Sequence, residues 1–337
     1  MWADEEERVR RGTWTSLAVA GALVLAGCGG DDEGTASGGG GGAAGDGGTT
    51  SIRVGAIPIV DVAPLYLGIE EGIFSDAGLE VEPFLAQGGA AIVPAVVNGE
   101  AQFGFSNITS LLQAEARGVP LTLVAPGPGA TGDPAEDFAG VIVPADSPVQ
   151  SAADLAGLRV AINSINNISE TVVRESVRQA GGDPSGIEFV EIPFPDMVAA
   201  VSSGQVDAAF AVEPFATLGE SQGLRVVSSP YTETDDDLSV AGYFTSDQYA
   251  AENPDVVEAF ADAMVEAQQY AQDNPDAVRE VLGTYTQIPA EVAQQLTLPT
   301  FQTELNRESI ERLLELGEQD GIIEGEVDLE AIYAETD

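Results

Sequence analysis

Histidine and lysine are absent from all 337 residues, and cysteine occurs once, at Cys28. Without His the chain lacks the commonest general base and the commonest metal ligand, so no catalytic set and no metal site is expected. Without Lys, no side chain can hold a carbonyl cofactor as a Schiff base, and no cofactor is expected. A single Cys excludes a disulfide within one chain. Positive charge is scarce too: 12 basic residues, every one Arg, stand against 56 acidic ones, for a formal net charge of −44. Long-range repulsion at that charge opposes binding to nucleic acid or to an anionic membrane surface. Carboxylate excess without Lys suits a saline exterior, where screening tames self-repulsion, and suits equally the acidic surface of many extracytoplasmic proteins.

What is present begins with an export signal. Arg8, Arg10 and Arg11 precede an apolar run from Leu17 to Ala26, which ends in Leu25-Ala26-Gly27-Cys28. That run is too short to span a bilayer and is the length of a secretory apolar segment. Small residues before a Cys resemble a bacterial lipobox, which makes residues 1–27 a lipoprotein signal peptide and Cys28 the lipidated residue. Asp4 to Glu7 are foreign to such a signal, so the true start codon stays open. Arg10-Arg11 leaves both general and twin-arginine export in play. Residues 28–50, rich in Gly, read as a flexible tether. The protein is therefore expected outside the cell, anchored to the outer face of the membrane.

Hydrophobic content of 44% provides for a packed body beyond the tether. Strands are predicted at 51–57, 79–85, 101–105, 121–125, 158–162, 187–191, 206–212 and 224–228, with helices between them. Strands alternating with helices at this spacing make an α/β fold with mostly parallel sheets. One unit occurs twice. Ile92, Ala95, Val96, Gly99, Gln102 and Phe105 match Met197, Ala200, Val201, Gly204, Asp207 and Phe210 in order and spacing. A helix–Gly–strand unit used twice predicts two similar lobes. Extended segments at 139–144 and 238–245 flank the second set, as a double crossover hinge requires. Lobe I is expected at 51–143 and 238–337, lobe II at 144–237.

Several stretches resemble one family. Pro64-Leu65-Tyr66 before a helix ending in Gly72-Ile73-Phe74 is similar to the opening of the nitrate/sulfonate/taurine and thiamine-pyrimidine-precursor group of solute-binding proteins. Asn98-Gly99-Glu100-Ala101-Gln102, Ala153-Asp154-Leu155-Ala156-Gly157-Leu158-Arg159-Val160, Gly204-Gln205-Val206-Asp207-Ala208-Ala209-Phe210 and Glu213-Pro214-Phe215 resemble its other recurrent segments. The resemblance spans about residues 51–335. It implies a two-lobed periplasmic-binding-protein fold of type II, a ligand between the lobes, and a membrane ABC permease as partner to a monomer. Val212 stands where the family often has an aromatic residue, and the Lys usual near Gly157 is absent. Both departures leave the ligand class open.

In open parallel sheets, ligands lie outside the carboxyl ends of the strands, where helices begin. That rule nominates Asp61 and Ala63; Gln87, Gly88 and Gly89; Ser106 and Asn107; Asn163, Ser164, Asn167 and Ser169; and Phe194 and Asp196. Glu213 and Phe215 follow a further strand, and Tyr243 lies in the return crossover. Capping alone explains one residue of Asn163–Ser169, not its five polar ones. Glu213 reads either as a cleft residue or as a cap on the next helix. None of these loops contains an Arg; Arg53 and Arg174 are the nearest in sequence. Asp61, Asp196 and Glu213 would repel an anion, so the expected ligand is a pyrimidine-like heteroaromatic with N–H donors. A sulfonate, taurine or nitrate is the alternative. An exported enzyme on the same fold is a further rival, since fold relatives that make a pyrimidine use a His and pyridoxal phosphate; this chain has neither that His nor a Lys. Cys28→Ser should give a soluble, exported, folded protein with an unprocessed signal. Full partition of that variant into membranes after a high-salt wash contradicts the anchor.

Overall fold

The computed structural model describes residues 49–333; the signal peptide, Cys28 and the tether up to residue 48 lie outside the described residues. Twelve strands run in order: β1 (Thr50–Ala56), β2 (Leu79–Leu85), β3 (Phe103–Asn107), β4 (Leu121–Pro126), β5 (Pro128–Gly129), β6 (Ala139–Pro144), β7 (Arg159–Ile162), β8 (Glu188–Glu191), β9 (Ala208–Val212), β10 (Leu224–Ser228), β11 (Ala241–Ser246) and β12 (Thr300–Phe301). One five-stranded sheet has the order β2-β1-β3-β11-β4 and the other β8-β7-β9-β6-β10. In each, four strands run one way and the fourth in that order runs against them. The two sheets therefore share one topology.

The sequence repeat maps onto this symmetry. The helix Gly89–Val97 precedes β3 and the helix Phe194–Ser202 precedes β9. Gly99 and Gly204 end those helices at φ 74° and 73°, left-handed backbone where a Cβ is strained. Gln102 and Asp207 then do one job: Gln102 Oε1 accepts from the Arg53 amide at 2.8 Å and Asp207 Oδ2 accepts from the Arg159 amide at 2.9 Å. Each side chain ties the start of its strand to the parallel neighbour, β1 in the first sheet and β7 in the second.

Lobe boundaries require a correction. The expected division at 143/144 cuts β6, which is wholly a strand of the second sheet, between β9 and β10. β11, in turn, lies between β3 and β4 of the first sheet. Each sheet thus takes its reversed strand from a segment bordering the crossover. Hydropathy could not assign these segments, because both are buried along nearly their whole length.

Between the sheets the two crossovers run side by side. The Gly127 amide donates to Ala241 O at 3.0 Å, Val240 to Pro128 O at 3.0 Å and Ala130 to Leu238 O at 2.9 Å. A Cβ on Gly127 would stand 2.7 Å from the Ala241 carbonyl oxygen, so the ribbon closes only on glycine. Asp137 fastens the crossovers further, its carboxylate accepting from the Ala139 and Thr232 amides at 3.0 and 2.9 Å. Burial lifts the Asp137 carboxyl to about 6.

The C-terminal helices also depart from a simple lobe I assignment. Helix Pro254–Asp273 does pack on the first sheet, with Phe260 stacked on Phe103 at 3.9 Å between ring centroids. Helix Arg307–Gln319 packs on helix Ile108–Ala116 of the first lobe and, with the residue after it, also reaches helix Ile168–Gln179 of the second. Arg178 grips Asp320 through two bonds of 2.7 and 3.1 Å, and Arg312 meets Glu175 at 2.9 Å. These pairs are mostly shielded from solvent, which strengthens them relative to pairs at a free surface.

Candidate functional site

The carboxyl ends of both sheets converge on one cavity. Ile57, Ile59 and Asp61 follow β1, Phe105 and Asn107 end β3, Asn163 to Ser169 follow β7, Phe194 follows β8 and Val212 ends β9. Tyr231, Val240 and Ala241 close it from the second crossover. The enclosed space is about 20 Å³, enough for a single water-sized group.

Asn163 organises the second lobe's wall. Its Oδ1 accepts from Asn167 Nδ2 at 2.9 Å and from the Ser169 hydroxyl at 3.0 Å, while its Nδ2 donates across the cleft to Gln87 O at 3.2 Å. Asn107 answers from the first lobe. Its Oδ1 caps helix Ile108–Ala116 through the Ser110 amide at 2.9 Å and also accepts from the Ile168 amide at 3.3 Å. Asn167 Oδ1 caps helix Ile168–Gln179 through the Ser169 amide at 3.0 Å. The helix starts at Ile108 and Ile168 are therefore already capped by the chain's own amides, while the helix start at Phe194, which also lines the cavity, has no side-chain cap.

Asp61 is different. It is 2% exposed, and its Oδ1 has no hydrogen-bond partner among the described residues. Loss of water raises its carboxyl from 3.8 to about 7, opposed only by its own backbone N–H. Burial pushes the phenols of Tyr231, Tyr243 and Tyr285 well above the ordinary value, and the Asp61 carboxyl adds to the rise in all three. The Tyr243 hydroxyl is likewise buried without a partner. Among the described residues no arginine lines the cavity: Arg174 is held by Glu170 at 2.7 Å, and Arg53 lies over the Phe84 ring at 5.1 Å. An unpartnered carboxyl oxygen with no neighbouring arginine can accept a hydrogen bond from an N–H donor.

Of the residues nominated from the sequence, Asp61, Asn107, Asn163, Asn167, Ser169 and Phe194 line the cavity. Gln87, Gly88 and Ser164 form its rim: a Cβ on Gly88 would stand 3.0 Å from Asn163 Nδ2 and 3.8 Å from the Ser164 Cβ. Gly89 and Ser106 stand behind the wall, so close that a Cβ on Gly89 would overlap the Ser106 hydroxyl. Tyr243 packs edge-on against Phe105, one layer back.

Four nominated residues stand away from the cavity. Ala63 is buried in the first turn of its helix, and Asp196 faces solvent. Phe215 is buried at the start of the next helix without reaching the cavity. Glu213 is a cap: its carboxylate accepts from the Thr217 hydroxyl at 2.6 Å, the Thr217 amide at 3.0 Å and the Thr297 amide at 3.3 Å. Burial still raises it to about 7. Conversely, Tyr231, Phe105, Val212 and the residues flanking them were not nominated. Tyr231 had one available signal, its place in a crossover that must border any cleft between two lobes.

An acid whose carboxyl is raised on folding destabilises the fold where it must ionise. Stability should therefore fall as pH rises from about 4 to about 7, the window between the unfolded and folded values for Asp61. Asp61→Asn removes its share, making the protein more stable than wild type at pH 8 by up to about 4 kcal/mol and flattening the fall. Urea melts from pH 4 to pH 8 check this; a variant less stable than wild type at pH 8 contradicts an unpaired Asp61.

Comparison with known proteins agrees with this architecture. The NMT1/THI5-like family model matches residues 59–278. The taurine-binding periplasmic protein of Escherichia coli (strain K12) is 24% identical over 195 residues, 57% of this chain and 58% of that protein. The 4-amino-5-hydroxymethyl-2-methylpyrimidine phosphate synthase of Aspergillus parasiticus is 24% identical over 218 residues, 61% of each chain. The match thus spans about three-fifths of the length of both curated relatives. The alkanesulfonate-binding protein SsuA from Xanthomonas axonopodis pv. citri, solved bound to MOPS, aligns with a TM-score of 0.71 at 17% identity, over 85% of this chain and 99% of that one. The fold is that of the two-lobed periplasmic binding proteins. Since one family model runs from the first cavity loop through both lobes and both crossovers, the chain belongs to the NMT1/THI5-like family.

Proposed function

We propose that the chain is the lipid-anchored, extracytoplasmic solute-binding component of an ABC importer. It captures a small organic solute with N–H donors, a pyrimidine-like heteroaromatic, between two closing lobes and presents it to a membrane permease without chemical change. The observation that carries this reading is Asp61: a carboxyl with an unpartnered oxygen, buried in a cavity whose walls come from both lobes. A ligand that donates an N–H there supplies what the folded chain leaves unmade. Pairing also relieves the desolvation of the carboxylate, so binding favours the closed arrangement. Closure of two lobes is a change a permease can read.

The relatives' names support two ligand chemistries, one a pyrimidine and one a sulfonate. The cavity favours the first. A free sulfonate would meet the unpartnered Asp61 carboxyl with no arginine among the described residues lining the cavity. Of the helix starts there, those at Ile108 and Ile168 are capped by Asn107 and Asn167, which leaves the start at Phe194. Taurine carries an ammonium that suits Asp61, but among the described residues its sulfonate would have only the helix start at Phe194 and no cation to receive it. A catalytic role like that of the synthase relative has no support in the chain's chemistry, which includes no His and no Lys.

Calorimetry with 4-amino-5-hydroxymethyl-2-methylpyrimidine, taurine, an alkanesulfonate and nitrate tests the proposal. The pyrimidine should bind at micromolar Kd or tighter. Its affinity should fall as pH drops below about 7, where Asp61 gains a proton. Asp61→Asn should weaken binding by roughly tenfold to a hundredfold, the loss of a charge-assisted bond. Tight binding of sulfonate or nitrate with the pyrimidine silent overturns the ligand class.

A further inference from the structure

A second cavity, about 210 Å³, opens at the mouth of the cleft and shares Ile57 and Phe194 with the inner one. Pro58, Leu85 and Ala86 wall it from the first lobe, and Pro193, Phe194 and Pro195 from the second. Gln87 alone brings a polar side chain. Proline's fixed φ stiffens both walls. Leu85 is left 48% exposed, and there are only three other large hydrophobic side chains so exposed among the described residues. A carbon-lined trough that shares a wall with the inner chamber divides the cleft into two chemistries.

We propose that the trough is a second subsite, which holds an apolar substituent of the ligand whose N–H end meets Asp61. The inference rests on the proposed function and extends it: the solute is an N–H heteroaromatic or amine bearing a short alkyl or aryl arm. The two sizes fit this division. The inner chamber takes a water-sized donor group, and a space of about 150 Å³ already accepts a benzene ring, so the trough, at about 210 Å³, has room for the ring that carries the donor together with a short alkyl arm. Because the walls come from both lobes, the arm is buried only when the lobes are together. It therefore contributes to closure as well as to affinity.

Titration calorimetry on the full chain at pH 8 compares 4-aminopyrimidine with its analogues carrying a propyl group at C2, C5 or C6. At least one analogue should bind about tenfold tighter than the parent, from burial of its methylenes. Leu85→Ser should bring that ratio close to one; since Leu85 is largely exposed, the substitution leaves the core intact. Binding of the parent with no gain from any propyl group overturns the subsite and leaves the proposed function standing. Silence of parent and analogues alike overturns both. A gain that survives Leu85→Ser undiminished also overturns the trough as its source.

Discussion

A carboxyl held out of water with one oxygen unpartnered is the constraint on which this molecule turns. Asp61 sits in the short 3-10 turn after β1, and the cavity, the tyrosines around it and both lobes exist at its expense. Elsewhere the chain meets the same problem by conventional means. Glu170 is held by Arg174, Glu175 by Arg178 and Arg312, and Glu213 by Thr217 and Thr297. The contrast is informative in a protein with so few cations: Arg174, Arg178 and Arg312 hold helix and clasp acids, and among the described residues no arginine lines the cavity around Asp61. Burial without a partner is costly, and such a group persists where a ligand completes it.

The surrounding architecture makes completion depend on both lobes at once. Two sheets of one topology exchange their reversed strands across a ribbon closed on Gly127, with Asp137 bonded to the second crossover. Asn163 reaches Gln87 and Asn107 reaches Ile168, so the polar wall is itself shared between lobes. The clasp of Arg178 on Asp320 and Arg312 on Glu175 ties the C-terminal helix to the second lobe on another face. Separating the lobes means breaking partly buried ion pairs as well as opening the ligand chamber.

Much of this was legible in the sequence. Chain order alone fixes where strands end, and strand ends found Asp61, Asn107 and Asn163. The repeat of Gln102 as Asp207 proved to be a repeat of a hydrogen bond, which is why it survives the change of side chain. What the sequence concealed was direction. The strand-end rule places Glu213 near the cleft but does not say which way it turns, and Thr217, one helical turn on, takes its carboxylate. Sheet membership of the crossover segments was hidden for a related reason: a buried strand reads the same in either sheet, so β6 and β11 could be placed only by their partners. Tyr231 escaped because it belongs to no strand end.

The central claim is that an N–H-bearing solute completes Asp61. Native mass spectrometry of the protein purified from its own source tests it most directly. The account predicts one small-molecule adduct per chain, of a mass that identifies a basic nitrogen compound, and its loss from Asp61→Asn. An adduct that is a sulfonate or nitrate, retained undiminished in Asp61→Asn, contradicts it.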